Sequence, residues 1–168
     1  MAYRYFYDCE FIEDGRVVDL VSIGVVDEFG REFYAVSTQF DDSRAVPWVR
    51  RNVLDKLPSP ADPAWRSRER IRDDLYEFLR EPVRGRDEQI ELWAWYAAYD
   101  HVALAQLWGA MPALPREIPR FTKDLRQLWD ELGRPALPTA QGRHDALVDA
   151  KHNLARWNAM TEARSIAR

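Results

Sequence analysis

Two carboxylates inside an otherwise apolar strand constrain this chain more than any other feature. Asp8 and Glu10 lie two residues apart in Tyr5-Phe6-Tyr7-Asp8-Cys9-Glu10-Phe11, and the composition of this segment predicts a β-strand. Residues two apart on a strand project to the same face, so the two carboxylates are neighbours. Such a pair is costly in an apolar strand unless a cation lies between them. A metal site therefore explains the pair better than an exposed edge strand does.

The size and charge of the chain indicate one acidic domain. Its 168 residues, 46% of them hydrophobic, can build one core, and we expect a single domain over residues 1–160 and a C-terminal tail over 161–168. The formal net charge of -4 counts mildly against a polynucleotide substrate. Basic residues nevertheless cluster locally, where they are either phosphate contacts or solvated surface groups. The clusters are Arg50 and Arg51; Arg66, Arg68, Arg70 and Arg72; and Arg116, Arg120 and Lys123.

The single cysteine and the lack of a long apolar run predict the compartment. One cysteine cannot form an internal disulfide and excludes a zinc site of several thiolates, which favours a reducing compartment. No stretch of about 18 consecutive apolar residues occurs, so we expect no membrane partner. Together these features predict a soluble, cytoplasmic protein.

The order of predicted elements indicates an α/β fold with a central mixed sheet flanked by helices. Three β-rich runs separated by turn signals predict an antiparallel meander, and helices then alternate with one further strand. The strands are predicted at residues 3–11, 17–26, 31–37 and 90–96, and the helices at 66–80, from Asp100, at 123–132 and at about 144–160. A proline-bearing stretch over 47–63 is expected to be irregular, with a short helix that packs on the core.

Three more residues could complete a site. Asp100 follows the strand at 90–96 and is read either as a helix N-cap or as a ligand at the end of a strand. His144 and Asp149 are five apart, roughly 140° around a regular helix, so periodicity pairs Asp145 with Asp149 instead. The geometry works if His144 lies in the loop or first turn entering the helix and only Asp149 lies on the helix body, which leaves Asp145 free to cap it. An imidazole titrates near neutral pH and can accept a proton from a water.

These motifs, in this order, resemble those of the DEDDh exonucleases of the ribonuclease H-like superfamily. The matching segments are Asp8-x-Glu10, Ala98-Tyr99-Asp100-x-x-x-Leu104 and His144-x-Ala146-Leu147-x-Asp149-Ala150. They extend over nearly the whole chain, from Tyr3 to about Trp157. Residues 5–15 and 90–95 further resemble the polyadenylate-specific 3′-to-5′ exoribonucleases of that family.

The resemblance implies a ribonuclease H-like fold and a role for each site residue. Asp8, Glu10, Asp100 and Asp149 are expected to bind two Mg²⁺ ions, for which Mn²⁺ can substitute, and His144 is expected to act as general base. These five residues form the expected catalytic set. The implied reaction removes nucleoside 5′-monophosphates from an RNA 3′ end, adenylate-rich tails are one implied substrate, and the implied assembly is a homodimer. The alternatives are a DNA 3′ exonuclease or oligoribonuclease of the same fold, and a non-catalytic module that binds RNA ends.

The expected substrate contacts come from Glu10, Phe11, Ile12 and His144. After Glu10 this chain has Phe11-Ile12-Glu13, where many relatives have small hydroxyl residues and a glycine, so contacts to the terminal nucleotide are expected to differ. Phe11 either stacks on the terminal base or points into the core opposite Glu10.

Overall fold

A mixed β-sheet runs through the centre of the computed structural model, which describes residues 1–85, 88–140, 142 and 144–166. Among these residues, six strands form one sheet in the order β4-β3-β2-β1-β5-β6. The strands are β1 (Ala2–Glu13), β2 (Val18–Asp27), β3 (Glu32–Ser37), β4 (Trp65–Arg66), β5 (Gln89–Ala94) and β6 (Lys123–Asp124). The pairs β1–β2 and β2–β3 are antiparallel, and β1–β5, β3–β4 and β5–β6 are parallel. The predicted α/β class with an antiparallel meander followed by parallel strands is confirmed.

Helices cover both faces of the sheet. They are α1 (Pro47–Asn52), α2 (Arg68–Arg80), α3 (Ala98–Ala105), α4 (Leu125–Glu131) and α5 (Ala146–Ile166), with 3₁₀ turns at Asp42–Arg44, Leu54–Lys56, Gln106–Trp108 and Met111–Ala113. The last helix was predicted to end near Met160 but continues to Ile166, through most of the predicted tail, and residues 167–168 lie outside the described part. No helix in the described part is long and apolar enough to cross a membrane.

The alternation of side chains along β1 aims its two carboxylates at α5. Tyr5, Tyr7 and Cys9 are buried in one core cluster with residues of α2 and α3, whereas Phe6 lies in a second cluster with residues of α4 and α5. Because side chains alternate along a strand, Asp8 and Glu10 project to the Phe6 face. The pair therefore lies under the helix that carries Asp149.

A glycine in β2 lets α5 approach the sheet closely. Gly24 pairs with Asp8 in the β1–β2 register. A Cβ atom at Gly24 would lie 2.3 Å from the main-chain carbon of Ala146 and from the main-chain nitrogen of Leu147. Only a residue without a side chain permits this contact, which places the first turn of α5 directly beside Asp8.

Candidate active site

The five residues predicted to form a site line one pocket, although they come from three separate parts of the chain. Asp8 and Glu10 lie on β1, Asp100 lies in the first turn of α3, His144 lies just before α5, and Asp149 lies in the first turn of α5. The pocket has a volume of about 280 Å³. Its other lining residues are Cys9, Phe11, Trp95, Tyr96, Tyr99, Asn153 and Arg156.

Asp100 is bonded to the central strand and does not cap its helix. The N-cap position of α3 is Ala97, which makes no side-chain capping bond. The Asp100 Oδ1 atom instead accepts a hydrogen bond of 2.8 Å from the main-chain N–H of Cys9, the residue between the two β1 carboxylates. Burial raises the pKa of the Asp100 carboxyl to about 7. The interpretation of Asp100 as a helix cap is therefore wrong, and its interpretation as a ligand stays a prediction.

A turn ahead of α5 brings His144 next to Asp149, although their five-residue spacing would separate them on a regular helix. His144 adopts a left-handed backbone conformation with φ of 68°, outside the helix. Its main-chain N–H donates a hydrogen bond of 2.8 Å to Asp149 Oδ2. The Asp145 carboxylate accepts from the N–H groups of Leu147 and Val148, each at 3.0 Å, and so caps the helix. The five-residue spacing between His144 and Asp149 required such an arrangement if His144, and not Asp145, is to lie beside Asp149 in the site.

Three potential ligand atoms come together closely in this pocket. One carboxylate oxygen each of Glu10 and Asp149 and one ring nitrogen of His144 lie within 4.8 Å of one another. Carboxylate oxygen and imidazole nitrogen both suit a divalent cation. This compact group differs from the ligand set expected from the family resemblance, because it contains His144 and leaves out Asp8 and Asp100.

The electrostatics of the site also favour a cation. Burial raises the pKa of the Asp8 carboxyl well above its usual range, and the negative charges of the three neighbouring carboxylates raise it further. Burial likewise raises the pKa of Glu10 to about 8, with the Asp149 charge as the next cause. Arg156 lowers the pKa of Asp8, and Lys56 lowers that of Glu10, but neither cancels the effect of burial. Buried carboxylates that repel one another fit a site for divalent cations.

Two residues of the site had not been singled out from the sequence. Asn153, which is 1% exposed, donates a hydrogen bond of 3.0 Å from its Nδ2 to the carbonyl oxygen of Tyr7. Arg156 donates from Nη1 to Asn153 Oδ1 at 3.0 Å, and its guanidinium carbon lies 4.1 Å from the centre of the Trp95 ring. Both residues are on the same face of α5 as Asp149, at the i+4 and i+7 positions, and this spacing was the available signal.

Aromatic rings surround the mouth of the pocket. The Phe11 ring is stacked on Tyr99, with centroids 5.8 Å apart and an angle of 12° between the planes, and Tyr99 is 54% exposed. Phe11 is also partly buried against the core cluster, in line with the second predicted orientation, while its stacking on a terminal base stays a prediction. The Trp48 ring of α1 meets the His144 ring edge to face at 4.8 Å. An exposed aromatic edge of this kind can receive nucleic-acid bases.

Ile12 differs from the sequence-based expectation for a substrate contact. Its side chain is 2% exposed and packs with Val21 and Val53 beneath α1. It does not line the pocket. Any contact from this residue to a nucleotide would have to come from its main chain.

Comparison with solved structures identifies the fold. The chain superposes on the structure of a 3′-exonuclease in specific recognition of the 3′ end of histone mRNA stem-loop, with a TM-score of 0.59 and 13% identity, over 95% of this chain and 81% of that one. It also superposes on the Neurospora crassa Pan2 catalytic unit, which holds a protease and a nuclease domain, with a TM-score of 0.53 and 13% identity, over 98% of this chain and 28% of that one. The predicted fold of the ribonuclease H-like 3′ exonucleases is confirmed.

Sequence comparison identifies the family. The chain is 59% identical over 166 residues to the 3′-5′ exoribonuclease Rv2179c of Mycobacterium tuberculosis strain H37Rv, covering 98% of this chain and 97% of that protein. The 3′-5′ exoribonuclease MT2234.1 of strain CDC 1551 matches equally well. The sequence model of the 3′-5′ exoribonuclease Rv2179c-like domain matches residues 3–161. With pocket, fold and sequence in agreement, the chain belongs to the Rv2179c-like family of 3′-5′ exoribonucleases.

Proposed function

We propose that this exoribonuclease family member hydrolyses RNA stepwise from its 3′ end, releases nucleoside 5′-monophosphates, and performs the reaction in the pocket formed by β1, α3 and α5. The observation that carries the proposal is the convergence of Asp8, Glu10, Asp100, His144 and Asp149 on that pocket. Four carboxylates and one imidazole are the groups that metal-dependent phosphodiester hydrolysis needs. The proposal assigns these five residues as the catalytic set.

Two divalent cations, Mg²⁺ or Mn²⁺, are proposed to complete the site. Asp8, Glu10, Asp100 and Asp149 would hold them, and the raised pKa values of Asp8, Glu10 and Asp100 support this assignment. When bound, the cations would supply positive charge that activates a water and stabilises the departing 3′ oxygen. The grouping of His144 with Glu10 and Asp149 within 4.8 Å supports a role for the imidazole beside such cations.

His144 is proposed to accept the proton of the attacking water. Its main chain is fixed to Asp149 and its ring touches Trp48, so the imidazole approaches the pocket from a defined direction. A neutral imidazole is suited to this step because its ordinary pKa lies near 7. A fixed ring loses little entropy on reaching the reactive geometry.

The aromatic rim is proposed to bind the terminal bases. Phe11, backed by Tyr99, offers a stacked pair of rings at the pocket, and Tyr96 is 63% exposed next to it. Stacking of a base on an aromatic side chain contributes about 1–3 kcal/mol and tolerates any base. A preference for adenylate and a homodimer therefore rest on the family resemblance and stay predictions, as does the cytoplasmic location, which rests on the single cysteine and the lack of a long apolar run.

A time course on 5′-labelled RNA tests the proposal. With Mg²⁺ the wild-type protein should shorten single-stranded RNA one nucleotide at a time, and a chelator should stop the reaction. Tails of adenylate and of mixed sequence measure base preference, and a DNA of the same sequence measures the requirement for the 2′-hydroxyl.

Variants in the pocket supply the controls. Asp8→Ala should abolish shortening while the circular dichroism spectrum stays that of the folded protein, and His144→Ala should slow it severely. Internal cuts would contradict the exonuclease proposal. Shortening by Asp8→Ala at the wild-type rate would contradict the assignment of the site.

A further inference from the structure

A second and larger cavity lies beside the first half of β5, away from the catalytic carboxylates. Its volume is about 720 Å³, against about 280 Å³ for the active-site pocket. It is bounded by the end of α2, by residues 83–85 and 88–92, and by the segment that leads into β6. The cavity is within the range of about 300–1,000 Å³ that is usual for ligand sites.

The cavity lies where β6 is too short to pair with the whole length of β5. The strand β5 pairs with β6 only through Trp93 and Ala94, whereas β1 pairs with β5 from Gln89 to Trp93. One edge of residues 89–92 is therefore without a partner strand among the described residues. Side chains from α2 and from residues 116–123 form the walls that face this edge.

Unpaired arginines give the cavity its positive character. Within the described part of the chain, the guanidinium groups of Arg80, Arg84 and Arg116 have no hydrogen-bond or ion-pair partner. Two of the carboxylates in the wall are already engaged: Glu88 accepts from main-chain N–H groups, and Glu91 pairs with Lys123 at 2.8 Å. The described lining of the cavity thus carries four cationic side chains, including three guanidinium groups without a described partner, against three carboxylates, in a chain whose net charge is -4.

The arginines just before and at the start of α2 form a cluster with a structural role, and they serve as a comparison for the arginines of the cavity. Each of them is paired with an aspartate, in the pairs Arg66–Asp74, Arg68–Asp19, Arg70–Asp74 and Arg72–Asp73. This contrast distinguishes the cluster at residues 66–72 from the arginines of the cavity, of which Arg116 belongs to a second cluster noted in the sequence. The arginines of the cavity are available to an anionic ligand.

The cavity is close to the active site. Leu92 lines the cavity, and Trp95, three residues later and just past the end of β5, lines the active-site pocket, a separation of at most about 10 Å along the chain. Between them, Thr122 contacts both the Tyr7 hydroxyl at 2.6 Å and the His101 ring at 3.0 Å, and His101 directly follows Asp100. Phe121, which is 62% exposed, lines the cavity next to Thr122.

We infer that this cavity binds the single-stranded RNA upstream of the terminal nucleotide, while the 3′ end lies in the catalytic pocket. Arg84 and Arg116 would contact phosphates, because guanidinium groups bind phosphate oxygens with two parallel hydrogen bonds. Phe121 would stack on a base, as aromatic residues do in proteins that bind single strands. This inference rests on the proposed function for the identity of the ligand. The competing occupant is an acidic peptide that pairs with the open edge of β5.

Binding in chelator tests the inference separately from catalysis. A labelled single-stranded RNA of about twelve nucleotides is titrated with wild type, Arg84→Glu and Arg116→Glu at several salt concentrations, with fluorescence anisotropy as the readout. Each variant should weaken binding about five-fold and reduce the slope of log K against log salt by about 0.7, the value expected for one lost phosphate contact. Phe121→Ala should weaken binding without changing this slope. Arg164→Glu, the same charge change near the far end of α5, is the matched control and should behave as wild type.

Catalysis gives the second readout. In Mg²⁺, the two arginine variants should lower kcat/KM on the long RNA and leave it unchanged on a dinucleotide, which has no phosphate upstream of the bond that is cut. Wild-type affinity, salt slope and kcat/KM in both variants would overturn the inference. So would binding of a labelled glutamate-rich peptide that these variants lose while RNA binding is unaffected.

Failure of the proposed function would look different. Wild-type protein would then release no mononucleotides in Mg²⁺, yet its RNA binding in chelator would still be weakened by Arg84→Glu and Arg116→Glu. The binding inference would stand in that case, and the catalytic assignment would fall.

Discussion

At the scale of single residues, Asp145 and Asp149 lie one helical turn apart and have separable roles. Asp149 accepts the His144 N–H and lines the pocket, whereas Asp145 caps α5. We expect Asp149→Asn to abolish hydrolysis, because it removes one of the charges that would hold a cation. Asp145→Asn should keep nearly wild-type activity, since asparagine caps helices as well as aspartate does. Initial rates on labelled RNA measure both effects.

Asp145→Ala provides the matching stability measurement. Loss of the cap should lower the free energy of unfolding by about 1 kcal/mol, as followed by denaturant titration. If Asp145→Asn were inactive and Asp149→Asn active, the roles assigned to the two aspartates would have to be exchanged.

Sequence reasoning reached some of these residues and not others for a physical reason. The β1 carboxylates were predictable because the free-energy cost of two charges in one apolar strand can be judged from the residues of that strand alone. Asp100 was ambiguous between cap and ligand because its partner, the Cys9 N–H, is 91 residues away in the chain. The bond from Asn153 to Tyr7 extends over 146 residues, and no local pattern reports such a contact.

At the scale of elements, the position of α5 on the sheet depends on Gly24. A methyl group there would lie 2.3 Å from the main chain of Ala146, and main chain cannot move aside as a side-chain end can. We expect Gly24→Ala to displace the first turn of α5, moving Asp149 away from Asp8. The activity should fall at least ten-fold and the melting temperature should also fall. Thermal unfolding and initial rates on a trinucleotide measure the two effects.

Gly85→Ala is the matched control for this substitution. Among the described residues, its new Cβ would meet only the Glu88 side chain, at 3.6 Å, an ordinary contact distance. Gly85→Ala should leave the rate of trinucleotide hydrolysis unchanged. Wild-type rate and stability in Gly24→Ala would show that α5 does not need this close approach. Gly24 was not singled out from the sequence, although a glycine inside a strand is itself a signal of close backbone contact.

At the scale of the whole molecule, the carboxylate cluster couples folding stability to pH. The pKa of Glu10 is raised from 4.5 to about 8 in the folded protein, and that of Asp100 from 3.8 to about 7. Between about pH 4 and pH 8 the folded protein therefore holds protons that the unfolded chain has released. Folding takes up protons in this window, so the free energy of unfolding falls as pH rises through it.

Divalent cations should reverse this trend, because they bind the deprotonated carboxylates that high pH leaves unscreened. The metal-free protein should thus melt at a lower temperature at pH 8.5 than at pH 5.5. For a protein of this size, a change of about 1 kcal/mol shifts the melting temperature by about 2–4 °C. Added Mg²⁺ should raise the melting temperature much more at the higher pH, where no proton competes for the ligands.

Glu10→Gln should flatten the pH dependence of the metal-free protein, since glutamine carries no charge at either pH. Melting curves measured by circular dichroism, with and without Mg²⁺ at both pH values, test these expected changes in melting temperature. An equal gain from Mg²⁺ at the two pH values, with Glu10→Gln as pH-dependent as wild type, would mean that the buried carboxylates do not control the stability of the fold.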